Sequence, residues 1–423
     1  MNEGELSRVP ELDGLEAVEI ARRLEWMDGL LFFDTAGNVP SGWECPVSIV
    51  AASPTAIHEG SIFREEDRNR LAMALAEKRS VDVSGGFFAG GLCGWVSYEG
   101  DFVFGEYERL LIRDERSGEW WGKGGLESEF RRMTSKSAVI GEFSEEMGRE
   151  NFLSAVEKVK EYIAAGDIYQ VNVAQGFCAE VSESGGLFGL YEVLRKASPA
   201  PMGIYQKLAG REILGTSPEL FLKVSGNRIE TRPIKGTRPR FPDKAADMAS
   251  VMALRSSPKE VSELVMITDL LRNDLGKVCD FGSVEVTDML RLESLAQVHH
   301  LVSSVVGRLR EDESALSALE ACFPGGSITG APKKRAMEII QELEKSPRGI
   351  YCGAMGWLGF DGESEFNIAI RTLVRDGGTL RYQVGAGIVA DSVPEEEYAE
   401  TLQKGMGIRL AVDEYRAGPQ VAG

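Results

Sequence analysis

Four glutamates occur in two pairs, and each pair has the spacing of side chains that share a helical face. Glu260 and Glu263 are three residues apart, and Glu397 and Glu400 repeat that spacing near the C-terminus. Two such faces in contact would form an oxygen-only site of the kind that Mg²⁺ prefers. Either pair alone fits an ordinary solvated acidic face equally well, so the metal hypothesis depends on the pairs occurring together with the features below.

Lys235 lies in a basic segment, residues 231–240, which reads TRPIKGTRPR. The sequence predicts a turn at Lys235, between an extended run and the Gly-Thr that ends at Thr237. A lysine amine becomes nucleophilic when burial or nearby cations lower its pKa, and the arginines of this segment could provide such cations. Without that environment, the segment would be a basic surface turn.

A glycine-rich loop with two hydroxyls, residues 323–333, reads FPGGSITGAPK and precedes a predicted helix. Its hydroxyls are Ser327 and Thr329. Backbone N–H groups at the start of a helix favour an anion, although an ordinary helix cap would have the same composition. The P-loop spacing is absent, so nucleotide binding of that type is not predicted.

A second glycine-containing segment, Gly385, Ala386 and Gly387, follows a predicted strand and precedes the second acidic helix. Because glycine has no side chain, a ligand carboxylate could approach this backbone closely. Arg371 ends an apolar run, where it could bind a carboxylate with two hydrogen bonds or be an ordinary charge at a strand end.

The composition excludes several classes of function. The 423 residues contain 47 Lys+Arg and 66 Asp+Glu, a net charge of −19 with no basic stripe, so nucleic-acid binding is not expected. No window approaches about 18 uninterrupted apolar residues, so no membrane span is expected. The acidic N-terminus does not resemble a secretory signal.

Six cysteines without CxxC spacing favour reduced thiols and a cytoplasmic location. Only three histidines are present, which disfavours zinc and Ser-His-Asp chemistry.

The hydrophobic pattern predicts a scaffold of mixed α and β elements. Phe152, Val156, Val159 and Ile163 recur with helical spacing, and Gly166 ends that helix. Further helices are predicted over 189–197, 259–273, 314–322, 331–344 and 395–411, and strands over 46–52, 91–98, 168–174, 212–214, 220–224, 228–231, 356–360, 365–373 and 379–384. Residues 114–150 are polar and are predicted to be a surface connection. This mixed order favours an α/β or α+β fold with large mixed sheets.

Together, these segments resemble the chorismate-utilising enzymes, a family that includes the large subunits of anthranilate synthase and aminodeoxychorismate synthase, and the isochorismate and salicylate synthases. The matching segments include GDIYQVN at 166–172, SPELF at 217–221, DLLRND at 269–274 and, more loosely, GGLCGW at 90–95. The resemblance implies a single intertwined domain of two large, mostly antiparallel sheets with helices outside. It divides the sequence into an N-terminal part, 1–140, and a chorismate-binding catalytic part, 147–411.

The resemblance also implies roles for individual residues. Glu263 and Glu400 resemble direct ligands of Mg²⁺, with Glu260 and Glu397 as their partners, and the metal would hold the ring carboxylate of chorismate. Glu219 resembles the acid that protonates the departing C4 hydroxyl. The other expected substrate-binding residues are Tyr351, Arg371, Gly385, Ala386, Gly387, Lys404, Thr329, Ser327, His300 and Thr237.

Within the family, Lys235 is the most discriminating position. The segment PIKGTR resembles aminodeoxychorismate synthases, whereas anthranilate synthases resemble PIAGTR, and the loop GSITG favours the same choice. Isochorismate and salicylate synthases have a lysine where this chain has Gln170, which argues against water as the nucleophile. The expected reaction is therefore amination of chorismate through a covalent bond to Lys235. The large subunit of anthranilate synthase, or a non-catalytic regulatory subunit that binds chorismate or tryptophan, remain the alternatives.

Two further expectations concern ligands and partners. No cysteine has a glutaminase nucleophile motif, so the ammonia is expected from a separate glutamine amidotransferase subunit. Many relatives bind tryptophan beside a Leu-Leu-Glu-Ser segment, and residues 30–34, which read LLFFD, depart from it. Tryptophan binding therefore stays open.

Overall fold

The computed structural model describes residues 5–37, 46–79, 88–131, 137–182, 184–295 and 297–418. Its α-helices are α1 (Ala17–Arg23), α2 (Glu65–Glu77), α3 (Arg149–Ala164), α4 (Phe188–Ala197), α5 (Lys244–Arg255), α6 (Pro258–Gly276), α7 (Ala315–Cys322), α8 (Lys333–Leu343), α9 (Pro394–Lys404) and α10 (Met406–Ala417). No helix within these ranges is long and apolar enough to cross a bilayer.

The strands are β1 (Ser7–Arg8), β2 (Leu31–Asp34), β3 (Val47–Ala51), β4 (Ile57–Ser61), β5 (Gly91–Val96), β6 (Asp101–Tyr107), β7 (Leu110–Asp114), β8 (Trp120–Lys123), β9 (Ser144–Glu145), β10 (Gln170–Glu180), β11 (Met202–Leu208), β12 (Arg211–Ser217), β13 (Leu220–Ser225), β14 (Arg228–Arg232), β15 (Ile234–Pro239), β16 (Glu285–Ser294), β17 (Val298–Arg308), β18 (Gly330–Ala331), β19 (Ala354–Gly359), β20 (Ser364–Ile368), β21 (Thr372–Asp376) and β22 (Thr379–Ile388).

These strands form two large antiparallel sheets, which confirms the predicted fold class. The first sheet has the order β1-β8-β7-β3-β2-β11-β12-β21-β22-β10-β18, with β9 beside β10. The second has the order β15-β17-β14-β13-β20-β19-β5-β6-β4, with β16 beside β17. Both sheets combine strands from early and late parts of the chain, for example β5 beside β19 and β2 beside β11.

The sheets pack face to face through alternating side chains. Leu31 and Ile204 of the first sheet share a buried cluster with Trp95 and Met355 of the second. The neighbouring residue Phe32 instead joins a cluster with helices α1, α4 and α10, because successive strand residues point to opposite faces. Helices α3, α7 and α8 pack against a third cluster. Burial on both faces explains why many strands are continuously apolar.

Four predicted elements differ from the structure. The predicted strand over 365–373 is two strands, β20 in the second sheet and β21 in the first, and the chain crosses between the sheets at Arg371, whose φ is +52°. The predicted helix over 395–411 is α9 and α10, which meet at Gly405. The predicted turn at Lys235 is strand β15 with a bulge. The polar segment 114–150 includes strands β8 and β9. The other predicted elements are present with shifted ends.

Arg348 is a buried connection between helix α8, strand β10 and the glycine-rich loop. Its guanidinium donates to the Glu344 carboxylate at 2.6 and 2.8 Å, to the Asn172 carbonyl at 2.8 Å and to the Ile328 carbonyl at 2.9 Å. Only 4% of Arg348 is exposed, and the guanidinium lies over the Tyr98 ring. This side chain therefore holds together segments that are far apart in the sequence.

We expect Arg348→Met to lower the free energy of unfolding by about 3–5 kcal/mol, because it leaves a buried carboxylate without its partner. Arg211→Met removes an exposed ion pair with Asp376 and should change stability little. Urea unfolding of the two variants measures the difference, and equal effects would contradict the assigned role.

Candidate active site

Many of the sequence-predicted residues lie together where the two sheets meet, in a region that we call the cleft. From the first sheet come strands β10 and β22 and the loop before β18, and from the second come β15 and β17. Lys235 on β15 lies 3.4 Å from the carbonyl of Ser327 in the loop and 3.9 Å from the carboxylate of Glu263 on α6. The cleft thus joins residues from opposite sheets and from both acidic helices.

Lys235 points into this cleft because β15 bulges immediately after it. Lys235 pairs with Leu301 and Thr237 with His300, so Gly236 is the extra residue, and its φ is +72°. The Lys235 side chain is 16% exposed. The ammonium is therefore largely shielded from water and lies beside a carboxylate.

The arginines near Lys235 do not provide the expected cationic surroundings. Arg232 pairs with Glu293, Arg238 with Glu260 at 3.3 Å, and Arg240 with Asp247 at 3.5 Å. Because each guanidinium is compensated by its own carboxylate, the idea that they activate Lys235 is wrong.

Glu219 lies just before β13 and is 5% exposed. Burial raises the pKa of its carboxyl to about 7, although the Ser327 hydroxyl and Lys235 each lower it. Burial disfavours the charged form, and a carboxylic acid with a pKa near neutrality can donate a proton under physiological conditions. The proton-donating role of Glu219 stays a prediction, and its carboxyl has the burial and the pKa that such a role requires.

His300 on β17 is 1% exposed, and one of its two ring nitrogens, Nε2, is available to accept a hydrogen bond from a ligand. Its Nδ1 lies 3.3 Å from the Gly236 carbonyl and 3.0 Å from the Thr237 hydroxyl. The carbonyl can only accept, so Nδ1 carries the proton, and Nε2 has no described partner. Burial and the charge of Arg371 lower the pKa of His300 to about 3, which keeps the ring neutral. Thr237 therefore positions this imidazole.

Arg371 brings a guanidinium into the cleft near Glu219. Its guanidinium makes no hydrogen bond to any residue in the described ranges, although burial lowers its pKa and the charge of Glu219 raises it. A half-buried guanidinium with unfilled donors favours an anionic ligand.

Side-chain donors surround the backbone of Gly385 and Gly387. A Cβ added to Gly385 would lie 2.8 Å from Nδ2 of Asn172 and 3.0 Å from the Tyr351 hydroxyl, and one added to Gly387 would lie 2.4 Å from Nε2 of Gln170. Nδ2 of Asn172 has no described partner. The two glycines therefore keep space open beside polar donors.

Lys404 contacts the same segment, since its ammonium donates to the Gly385 carbonyl at 2.8 Å. Asn172 was missed by the sequence analysis because an asparagine inside an apolar strand carries no spacing signal. Gln170 was considered only as a substitute for a lysine.

The four predicted metal ligands lie on α6 and α9, and each carboxylate faces a cation. The pairs are Glu263 with Lys235 at 3.9 Å, Glu260 with Arg238 at 3.3 Å, Glu397 with Lys259 at 3.0 Å and Glu400 with Lys404 at 2.8 Å. Burial raises the pKa of Glu263. Burial acts in the same direction on Glu400, but the ammonium groups of Lys404, Lys259 and Lys235 together outweigh it and lower the pKa.

The donor chemistry of these glutamates fits a hard cation. Glu397 is 3% exposed, and its Oε2 has no partner among the described residues. Within those residues, however, no three acidic, histidine or cysteine side chains converge closely enough to form a metal site. The carboxylates would therefore have to exchange ammonium partners for the metal.

The glycine-rich loop differs from the predicted helix-start anion site. A short turn, Gly326–Ile328, and strand β18 lie within this segment, so its two hydroxyl residues are not at the start of α8, which begins at Lys333. Thr329 is fully buried, and its hydroxyl donates to the Gly325 carbonyl at 3.0 Å. Thr329 therefore stabilises the loop, whereas Ser327 lies beside Lys235 and Glu219.

Comparison with known proteins identifies the family to which this chain belongs. The family model described as chorismate binding enzyme matches residues 64–409. The chain belongs to the chorismate binding enzyme family. The chain is 47% identical over 272 residues to anthranilate synthase component 1 1 of Haloarcula marismortui, an alignment that covers 64% of this chain and 55% of that protein.

Two further relatives add to this picture. Aminodeoxychorismate synthase component 1 of Bacillus subtilis is 42% identical over 282 residues, with 66% of this chain and 59% of that protein covered. The crystal structure of anthranilate synthase component I from Streptococcus pneumoniae superposes with a TM-score of 0.75 at 28% identity, and covers 88% of this chain and 93% of that chain. The chain spans about half the length of the first curated relatives it matches.

The raised pKa of Glu219 has a measurable consequence. A carboxyl with an ordinary pKa of 4.5 is ionised at pH 6, whereas Glu219, with a pKa of about 7, should be protonated there and lose its proton as pH rises through 7. Infrared spectroscopy should show a protonated-carboxyl band that disappears with that midpoint and is absent in Glu219→Gln. A midpoint near 4.5 would contradict the assignment.

Proposed function

We propose that this chain is the large subunit of an aminodeoxychorismate synthase, which converts chorismate and ammonia to 4-amino-4-deoxychorismate, a precursor of p-aminobenzoate and folate. The position of Lys235 carries this proposal. Its ammonium lies inside the cleft, next to Ser327 and within the electrostatic field of the acid Glu219. A lysine there can form a covalent bond to a bound ring.

The cleft has groups for both carboxylates of chorismate. Arg371, whose guanidinium has no hydrogen bond to a described residue, and the donors around Gly385 suit the enolpyruvyl carboxylate. Glu260, Glu263, Glu397 and Glu400 would hold Mg²⁺, which when bound would supply positive charge to the ring carboxylate. Fixing the substrate in this way makes the addition nearly unimolecular.

The proposed reaction has two substitution steps. The free amine of Lys235 forms a bond to C2 of the ring, the double bonds shift, and the C4 hydroxyl leaves as water with a proton from Glu219. Ammonia then forms a bond to C4, the double bonds shift back, and the bond between C2 and Lys235 breaks. Glu219 takes back a proton from the added nitrogen, the lysine is regenerated, and one ammonia has replaced one water.

The main alternative is the large subunit of an anthranilate synthase. The names of the relatives favour it, since most of those compared are called anthranilate synthase component 1. The two activities give different products from chorismate, Mg²⁺ and an ammonium salt, and liquid chromatography with fluorescence detection distinguishes them. Release of anthranilate by this chain alone would support the alternative. Failure to consume chorismate would support a regulatory subunit.

The ammonia source and location belong to the same proposal. We propose that a separate glutamine amidotransferase subunit delivers the ammonia and that both subunits are cytoplasmic. Glutamine hydrolysis by the purified chain alone would contradict the need for that partner.

With chorismate and no ammonia, we expect intact-protein mass spectrometry to show an adduct equal to chorismate less one water, because the first step can proceed and the second cannot. The adduct should be absent in Lys235→Ala. The exposed lysine variant Lys158→Ala should retain it. An adduct on Lys235→Ala, or amination by that variant at an unchanged rate, would contradict the role of the lysine.

We expect Arg371→Met to raise the KM for chorismate by about 10- to 100-fold, since hydrogen bonds to a charged group contribute about 1.5–3 kcal/mol. Arg371→Lys keeps the charge but cannot form two parallel hydrogen bonds to a carboxylate. Its KM should therefore lie between those of Arg371→Met and the wild type. Steady-state kinetics with Arg211→Met as the control measure this effect. An unchanged KM in Arg371→Met would show that this guanidinium does not bind substrate.

A further inference from the structure

Lys259 places an ammonium between the two acidic helices. It lies on α6 next to Glu260, and its Nζ donates to Oε1 of Glu397 on α9 at 3.0 Å. This ion pair joins the two helices that carry the proposed ligands of Mg²⁺. The proposed reaction gives Lys259 no role.

The charge of Lys259 also acts on the other carboxylates of these helices. Burial lowers the pKa of Lys259, but the carboxylates of Glu397, Glu263 and Glu400 together outweigh it and raise the pKa. In the opposite direction, Lys259 counteracts the rise that burial causes in the pKa of Glu263 and of Glu400. One ammonium therefore lies within electrostatic reach of three of the four proposed metal ligands.

Glu397 depends on this ammonium because it is only 3% exposed. A carboxylate removed from water requires a compensating charge, and Lys259 supplies it. Oε1 of Glu397 also accepts from the Ser392 hydroxyl at 2.6 Å, whereas Oε2 has no partner among the described residues. The carboxylate thus holds one cation and keeps one oxygen available to another.

Three lysines in the described ranges pair with these carboxylates, and they differ in how firmly they are held. Lys235 is 16% exposed and also lies 3.4 Å from the Ser327 carbonyl, and Lys404 also donates to the Gly385 carbonyl at 2.8 Å. Lys259 has no second hydrogen bond to a described residue, and its side chain is 46% exposed. Its ammonium can therefore turn into water with the loss of a single contact.

We propose that Lys259 is an internal cation, which neutralises the carboxylates of α6 and α9 in the metal-free protein and moves into water when Mg²⁺ binds. The inference rests on the metal site of the proposed function. Since Oε2 of Glu397 is open, an incoming cation can contact this carboxylate before the lysine leaves. A protein whose binding-competent state is only partly populated binds its ligand with lower apparent affinity. Lys259 therefore sets the Mg²⁺ concentration at which the site fills.

Isothermal titration calorimetry of the metal-free chain with Mg²⁺ tests this competition without any catalysis. Lys259→Met keeps an unbranched apolar chain and removes the charge. We expect its Kd for Mg²⁺ to be about fivefold lower than that of the wild type, which is the effect of one partly exposed ion pair. The thermal midpoint of the metal-free variant should be lower than that of the wild type, because Glu397 loses its cation, and Mg²⁺ should restore it.

Lys277→Met is the matched control. Lys277 immediately follows α6 at its other end and pairs with Asp274 at 2.8 Å. The two side chains are 47% and 2% exposed, compared with 46% and 3% for Lys259 and Glu397. This variant should leave the Kd for Mg²⁺ unchanged. An unchanged or higher Kd in Lys259→Met would overturn the inference.

A second experiment, on the wild-type chain, separates displacement of the lysine from simple charge repulsion. With an amine-reactive reagent and peptide mass spectrometry, the labelling rate of Lys259 should rise about fivefold when Mg²⁺ is added, since the ammonium is released from an ion pair favoured by about that factor. The rate at Lys277 should not change, and sodium chloride at equal ionic strength should have no such effect. An unchanged labelling rate at Lys259 would overturn the displacement, whatever the Kd of the variants.

The two proposals fail in different ways. Amination of chorismate by a chain in which Mg²⁺ leaves the labelling of Lys259 unchanged would overturn the inference and leave the proposed function intact. Displacement of Lys259 by Mg²⁺ in a chain that releases anthranilate would retain the inference and overturn the proposed function. Absence of Mg²⁺ binding by both the wild type and Lys259→Met would overturn the inference together with the metal site.

Discussion

The cleft depends on the compensation of charge that has been removed from water. A buried carboxylate or ammonium costs several kcal/mol unless an opposite charge or hydrogen bonds replace its solvation. Most charges around the cleft satisfy this condition in pairs, as Glu263 does with Lys235 and Glu397 with Lys259. Glu219 and Arg371 are compensated less fully. Burial raises the pKa of Glu219 to about 7 despite the Ser327 hydroxyl and Lys235, and Arg371 faces the charge of Glu219 without a hydrogen bond to any described residue. These two groups are therefore the ones best placed for a proton transfer and for an anionic ligand.

The crossing of the chain at Arg371 links the architecture to this electrostatics. Strand β20 ends in the second sheet and β21 begins in the first, so the residue between them lies where the sheets meet. The left-handed backbone at Arg371 is uncommon for a residue with a side chain and costs of order 1–3 kcal/mol. A guanidinium is thereby placed between the sheets, close enough to Glu219 and His300 to influence the pKa of both.

Much of the fold could be predicted from the sequence because its signals are local. The helical spacing of Phe152, Val156 and Val159 and the stop at Gly166 define α3 correctly. The break at Arg371 could not be predicted in this way, because apolar residues continue on both sides of the crossing and periodicity does not show which sheet a strand joins. The bulge at Gly236 was read as a turn, since a glycine after a strand indicates either one.

The candidate site, like the fold, could be predicted from the sequence only where its signals are local. Paired glutamates and a lysine in a glycine-containing segment have recognisable spacing, and the structure brings Lys235, Glu219, Glu263 and Arg371 to one cleft. Contacts between distant segments carry no such signal. The sequence neighbours do not show that each arginine near Lys235 pairs with its own carboxylate. They also do not show the hydrogen bonds of Arg348 to Asn172 and Ile328.

The intertwined strand order limits how such a protein can change. Strand β5 is held between β6 and the much later β19, and β2 is held between β3 and β11. Removing either half would expose rows of unpaired backbone groups in the middle of both sheets, not at their margins. Recombination that exchanges one half for that of another protein would therefore have to match two sheets at once. The strand order therefore makes the N-terminal region an inseparable part of both sheets.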